Sequence, residues 1–247
     1  MSSFVRILLF HFNLTLFIKE ESFDITQGLL TKKSIILSKG KVQNIIVSTN
    51  PIKKKLGISF VTFKQAVSGK VKQQNKLIRI IGCKTAQIKT IKELLYANST
   101  ADSDKYVPNK YFIFRMYFRS SIGLLLINSI ILFLIQDTTL LWVNLLFMPL
   151  TILLIQLKYK KAFYQFNEEL LLVGNGRIET HITYLPFFKV QNIKMKQTIF
   201  QKRKNVVNLV LQTASGKIRI PCIEKERAVK LYNYILYKVE SNQESWM

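Results

Sequence analysis

Hydrophobic and polar positions along the 247-residue chain fall into three regimes. In the first, short runs of Ile, Val, Leu, Phe and Thr are separated by Gly, Asn, Ser and Lys: Phe10 to Ile18, Phe23 to Ile25, Ser34 to Leu37, Val42 to Ser48, Ile58 to Lys64 and Leu77 to Ile81. The last regime repeats this grammar in Leu170 to Val173, Gly176 to Thr183, Val190 to Lys196, Val206 to Thr213 and Gly216 to Pro221. Such runs predict antiparallel strands, and Ser68-Gly69-Lys70 and Ser215-Gly216-Lys217 predict hairpin turns in which Gly supplies the positive φ. Each series ends in a helical pattern. Gln87 to Tyr96 places Ile88, Ile91, Leu94 and Leu95 on one side, and Glu224 to Val239 does so with Val229, Tyr232, Ile235 and Leu236.

Between the two lies the second regime. Ser120 to Leu157 holds 38 residues with one charge, Asp137. As one helix it would span roughly 57 Å, against a hydrocarbon core of about 30 Å. Two crossings fit: Ser120 to Gln136 and Leu140 to Leu157. Each has eleven or twelve Leu, Ile, Phe or Val residues, worth roughly 0.3 to 0.6 kcal/mol apiece on insertion. Gln136-Asp137-Thr138-Thr139 reads as the turn at the far interface, with Asp137 or Thr138 able to cap the second helix. A buried soluble helix pair is the alternative.

The flanks orient this hairpin. Arg115 and Arg119 precede it, Lys158, Lys160 and Lys161 follow it, and the turn has neither Lys nor Arg. Both ends are therefore expected in the cytoplasm. Tyr111, Phe112, Phe114, Tyr117, Phe118, Tyr159, Phe163 and Tyr164 suit an interfacial aromatic belt, and Asn128 and Asn144 lie at depths that allow a hydrogen bond between the helices, with contact to a neighbouring subunit as the alternative. The N-terminal apolar run, Phe4 to Ile18, is interrupted by Arg6, His11, Asn13 and Thr15. It reads as a first strand and not a signal segment.

The two strand-rich regions are copies of each other. Lys41-Val42-Gln43-Asn44-Ile45 returns as Lys189-Val190-Gln191-Asn192-Ile193, and Gly28 and Gly176 stand thirteen residues ahead of them at the same offset of 148. The basic clusters Lys53-Lys54-Lys55 and Gln201-Lys202-Arg203-Lys204 keep that offset. The turns Ser68-Gly69-Lys70 and Ser215-Gly216-Lys217 shift to 147, one loop residue gained or lost. Collinear matches of this kind mean duplication.

Lys plus Arg number 37 against 14 acidic residues, a formal charge of +23. Part of that excess fits the bias of an AT-rich genome. The alternative is a basic surface that faces anionic headgroups, at about 1 kcal/mol per cation near the leaflet. Gln43 and Gln191 read as backbone-binding residues in a strand or bend, with a ligand or partner contact as the alternative. The clusters Lys53 to Lys55 and Lys202 to Lys204, through Arg203, read as solvated loops or as anionic-lipid or partner contacts. Cys83 and Cys222 each follow an Ile-Arg-Ile stretch and read as equivalent strand positions, not as a disulfide or metal pair. His11 and His181 have no ligand-spaced companions. With no Gly-rich phosphate loop, nucleophile elbow or paired carboxylate, neither catalytic residues nor a metal nor a cofactor is expected.

The motifs around Gly28 and Gly176, the two Lys-Val-Gln-Asn-Ile copies, Leu211-Gln212-Thr213-Ala214-Ser215-Gly216 and Phe63-Lys64-Gln65-Ala66-Val67-Ser68-Gly69, in that order about a helix pair, resemble bacterial pleckstrin-homology-like membrane proteins of the YdbT-like type. The resemblance implies an α+β fold with membrane helices. A first such domain would span 1–97, a linker and interfacial aromatic segment 98–118, a transmembrane hairpin 119–158 and a second domain 159–241, each domain a barrel or sandwich of about seven strands closed by a C-terminal helix. It also implies that the chain corresponds to the C-terminal portion of longer relatives, through a split gene or a truncated product. The expected role is a multi-pass scaffold of the bacterial inner membrane with both domains cytoplasmic, serving protein–protein interaction, oligomerisation or anionic-surface binding. Its partners would be lipid headgroups and a further copy or a membrane subunit encoded nearby. A component of a transport or envelope-stress system is the alternative. A basic nucleic-acid binder is a second, and membrane anchoring and Lys in place of Arg speak against a nucleic-acid partner.

Overall fold

A computed structural model of the chain describes residues 12–66, 77–96, 104–135 and 142–242, together with Leu9. The expected turns Ser68-Gly69-Lys70 and Gln136-Asp137-Thr138-Thr139, His11, and residues 98–103 of the expected linker lie outside the described residues.

The first copy forms β1 (Thr15–Ile18), β2 (Ser22–Gln27) and β3 (Lys33–Ser38), a three-stranded antiparallel sheet. It continues as β4 (Val42–Thr49), a short helix α1 (Pro51–Lys55), β5 (Ile58–Gln65), β6 (Leu77–Lys84) and helix α2 (Thr85–Leu95). The period of two is plain in β2, where Phe23, Ile25 and Gln27 are buried and the residues between them are not. On the other wall Val61 and Phe63 of β5 face them, and Ile88 and Ile91 of α2 close the core.

The second copy repeats the plan: β7 (Phe163–Phe166), β8 (Leu170–Gly176), β9 (Thr180–Pro186), β10 (Val190–Lys196), a short helix α5 (Ile199–Arg203), β11 (Val206–Thr213), β12 (Gly216–Glu224) and the closing helix α6 (Lys225–Ser241). Leu209 and Leu211 of β11 and Ile235 of α6 are fully buried in its core. Each copy thus has six described strands, where the resemblance implies about seven.

Several boundaries differ from the sequence expectation, the first strand for one, which spans only Thr15–Ile18. Gly176 ends β8 instead of opening a strand. Its φ of +138° turns the chain so sharply that a Cβ would run into the Glu179 carbonyl oxygen, as one on Gly28 (φ +110°) would into that of Thr31. The aromatic segment around the helix pair is also partly core. Phe163–Phe166 is an edge strand, Tyr164 is 3% exposed, and Phe112 is 4% exposed against Ala162 and Cys222. Phe114 and Phe118 remain exposed, as a belt requires.

The copies do not stand apart. β4 of the first pairs antiparallel with β9 of the second, Ile45 opposite Tyr184 through Thr49 opposite Thr180. This makes one six-stranded sheet in the order β6-β5-β4-β9-β8-β7, flanked by β1-β2-β3 and by β10-β11-β12. Leu170 and Leu172 of β8 pack into the core of the first copy.

Between the copies run α3 (Tyr111–Ile135) and α4 (Val143–Lys161), packed side by side. Among the described residues, one helix is long and apolar enough to cross a membrane: 24 residues of α3, Tyr111 to Leu134, with mean hydropathy 1.7. At 1.5 Å per residue it spans roughly 36 Å. It starts nine residues before Ser120, so the expected interfacial segment supplies its first turns. α4 has 19 residues, contains Pro149 and ends in Lys158, Lys160 and Lys161. Asn144 Nδ2 donates to Asn128 Oδ1 at 3.0 Å between the two helices.

Candidate functional site: a strand joint and a basic cleft

The repeated motif makes the same backbone feature twice. Opposite β5, Val42 pairs with Gln65 and Asn44 with Lys64, leaving Gln43 as an extra residue. Opposite β11, Val190 pairs with Thr213 and Asn192 with Gln212, leaving Gln191 extra. Both glutamines are β-bulge residues, which bend the strand and re-aim its later side chains. The surroundings then diverge. Gln43 and Asn44 are 0% and 1% exposed, whereas Gln191 and Asn192 are exposed. Lys41 is exposed and its counterpart Lys189 is 4% exposed.

The joint between the copies explains this inversion. Asn44 Nδ2 donates to Ser215 Oγ at 2.7 Å, and Lys189 Nζ donates to the Gly40 carbonyl oxygen at 3.0 Å, so each motif copy reaches into the other module. Lys53 lies 2.6 Å from Glu179 Oε1 and 3.5 Å from the Phe60 ring centre. That hydrogen bond holds the Glu179 carboxyl below its ordinary value, against a smaller opposing effect of burial. Lys92 Nζ donates to the Tyr184 hydroxyl at 2.5 Å and stacks on its ring, while the Tyr96 hydroxyl donates to the Tyr184 carbonyl at 3.4 Å. Charge-assisted bonds with desolvated partners are the strong kind.

The other basic-cluster residues are placed differently. Gln201, at the position of Lys53, is fully buried and caps α5 reciprocally with Thr198. Lys54, Lys55, Lys202, Arg203 and Lys204 are exposed. On the same short helices Ile52, Ile199 and Phe200 are exposed as well, as is Leu56 just past the end of α1.

The two cysteines are not equivalent, contrary to the sequence reading. Ile80 pairs with Val61 and Ile220 with Leu209, and beyond these pairs a bulge puts Cys222 at the place that Gly82 holds in the first copy, with Cys83 matched by Ile223. Backbone angles agree, φ being +74° at Gly82 and +49° at Cys222. Burial pushes both thiols up, Cys83 to about 11. Cys222 works as a fastener. It is fully buried beside Phe112 and Ala162, its carbonyl accepts from Asn109 N at 2.9 Å, and its own N–H donates to Asn208 Oδ1 at 3.1 Å. With the Tyr159 hydroxyl on the Pro108 carbonyl and the Tyr106–Tyr164 strand bridge, these contacts seat the helix pair on the second module. His181 sits in the joint opposite Ser48, with Nε2 3.8 Å from Glu179. Among the described residues no cluster of three His, Cys, Asp or Glu could hold a metal.

One concave feature is a cleft of about 300 Å³ on the outer face of β10-β11-β12. Arg115 of α3, Lys194 and Lys196 of β10, and Lys217 and Arg219 of β12 line it, with Asn208, Val210, Gln212 and Pro221. Register puts Lys194, Val210 and Arg219 in one row across the sheet. Arg115 leans onto it through Asn208, 3.4 Å away. Sequence pattern marks Arg115 only as flanking the membrane and does not single out the other four cations. The repeat holds a signal that exposes them, because Ile46, Ser48 and Leu77 occupy the places of Lys194, Lys196 and Lys217 in the first copy. Cations also crowd the base of the helix pair. The charges of Arg177, Arg115 and Arg119 all bear on Lys158 there.

A family model described as the bacterial PH domain matches residues 2–99 and 121–239. Among curated proteins nothing matches the chain.

Proposed function

We propose, because this chain belongs to the bacterial PH domain family, that it is an integral membrane protein whose two modules form one cytoplasmic platform for binding partner proteins and the anionic membrane surface. Membership supports a membrane-associated or protein-interaction role. In this proposal α3 and α4 cross the bilayer as a hairpin, with Asn128 and Asn144 bonded inside it. The platform meets a membrane subunit or another copy of the chain, and it performs no catalytic step.

One observation carries the reading. The 24-residue apolar stretch of α3 exposes Leu125, Phe133 and Leu134 to the surroundings, while its base is locked onto a folded module amid a ring of cations. Hydrocarbon is the solvent that suits such a surface, and Arg115, Arg119, Lys158, Lys160 and Lys161 then meet the inner leaflet. The test is extraction. The chain stays in membranes through high salt and carbonate, and a membrane-impermeant maleimide labels Lys54→Cys and Lys202→Cys only when the cytoplasmic face is open. Release by carbonate, or labelling of the two sites from opposite faces, overturns it.

A further inference from the structure

The cleft on the outer face of β10-β11-β12 holds Arg115, Lys194, Lys196, Lys217 and Arg219 and no carboxylate. Generic basicity does not account for it. At the matched positions of the first copy stand Ile46, Ser48, Thr62, Lys64, Leu77 and Arg79, with two cations, whereas Lys194, Lys196, Val210, Gln212, Lys217 and Arg219 of the second have four, and Arg115 adds a fifth. Like charges this close repel unless an anion is shared among them. Asn208 and Gln212 add amide groups to the lining, and Val210 gives the floor an apolar centre. A phosphate flanked by glycerol carbons meets that combination of forked guanidinium, ammonium and methyl groups.

Depth points the same way. Arg115 precedes Ser120, where the uninterrupted apolar run of α3 begins, by five residues, a helical rise of roughly 7.5 Å. The polar layer on each side of a bilayer is about 5 to 8 Å thick. The cleft therefore opens at the level of the lipid phosphates. Beside it α5 exposes Ile199 and Phe200 next to Lys202 and Arg203, an apolar-plus-basic tip suited to that boundary.

We infer that this cleft is a binding site for the phosphate of an anionic phospholipid headgroup, held between α3 and the β10-β11-β12 sheet. The inference rests on the membrane reading above and deepens it. The free end of an isolated phosphate would satisfy the same cations, so the experiment separates the two sources.

The full-length protein is placed in nanodiscs of phosphatidylcholine with a minority of phosphatidylglycerol, and co-purified lipid is counted by native mass spectrometry. Wild type retains phosphatidylglycerol. Replacing Lys194, Lys196 and Arg219 by Gln together weakens retention by a factor on the order of 100, as three surface cations imply. An equal charge change on the terminal helices, Lys89→Gln with Lys225→Gln and Lys230→Gln, changes it less than about twofold. Incorporation into the disc reads the anchor and lipid selectivity reads the cleft, so the two fail separately. Equal loss in both triple variants, or no preference for phosphatidylglycerol in wild type, overturns the site. Displacement of the lipid by millimolar inorganic phosphate assigns the cleft to a soluble phosphate and overturns the headgroup assignment.

Discussion

Gln43 and Gln191 are the same residue of the same bulge in two copies of one module, yet Gln43 is 0% exposed and Gln191 faces solvent. The difference is made by the neighbour. β9 and the Ser215 turn cover the first motif, and nothing among the described residues covers the second. The joint is heterologous, since β4 of one module meets β9 of the other while their counterparts β10 and β3 remain sheet edges.

That asymmetry sets the first expected outcome. Asn44→Ala removes a buried hydrogen bond to Ser215 and leaves a gap, costing about 1 to 2 kcal/mol. Asn192→Ala, at the matched exposed position, stays within about 0.5 kcal/mol. Thermal unfolding of the two variants in detergent separates them, and equal losses would show that the motif acts within its own module alone.

The free edges make a second. Superposing the joint on β10 and β3 of two chains would set Lys196 directly opposite Lys33, the places of Ser48 and His181. Like charges facing across strands destabilise pairing, and edge lysines are a standard guard against it. The double variant Lys33→Ser with Lys196→Ser is expected to self-associate head to tail where wild type does not use these edges. Sedimentation in detergent reads this directly.

A third concerns pH. Glu179 has its carboxyl depressed chiefly by the Lys53 hydrogen bond. A group whose folded value lies below its unfolded one stabilises above the unfolded value and loses that contribution as pH falls through the folded one. The midpoint of thermal unfolding should therefore drop below about pH 4.5, the ordinary value of this carboxyl, and Glu179→Gln should flatten that part of the curve. An unchanged acid limb in the variant would mean that other carboxylates carry it.

The cysteines supply a fourth. Cys83 titrates near 11 and Cys222 is likewise raised, both by burial. Since the thiolate is the nucleophile, both should resist iodoacetamide at pH 8 in the folded protein and react on unfolding. Mass spectrometry reads the adducts, and rapid labelling of native Cys222 would contradict the packing at the base of α3.

Much of this fold is legible in the sequence because short-range patterns dictate it. β11 lies over Val206 to Thr213, where alternation and turn residues predict it, and the duplication is a matter of offsets alone. The joint is hidden. Which strand edge finds a partner depends on residues roughly 140 positions away, and identical pentapeptides say nothing about that. β7 is hidden too, since Phe163 and Tyr164 suit a membrane interface as well as an edge strand. The cysteine mismatch comes from reading Ile-Arg-Ile as an anchor, when the anchor is the left-handed backbone shared by Gly82 and Cys222. The cleft needs three strands and a helix brought together, although the first copy holds the contrast that marks it.

β4 and β9 join the two modules into one body, which in the proposed reading is held in the membrane. Ser48 and His181 lie opposite each other across that joint, so cysteines placed there meet the spacing a disulfide requires. In carbonate-washed membranes, the Ser48→Cys, His181→Cys variant should on mild oxidation give a cross-link within a single chain, mapped by mass spectrometry. A protein that forms no such link, or links only between chains, or is absent from the washed membranes, would contradict the account.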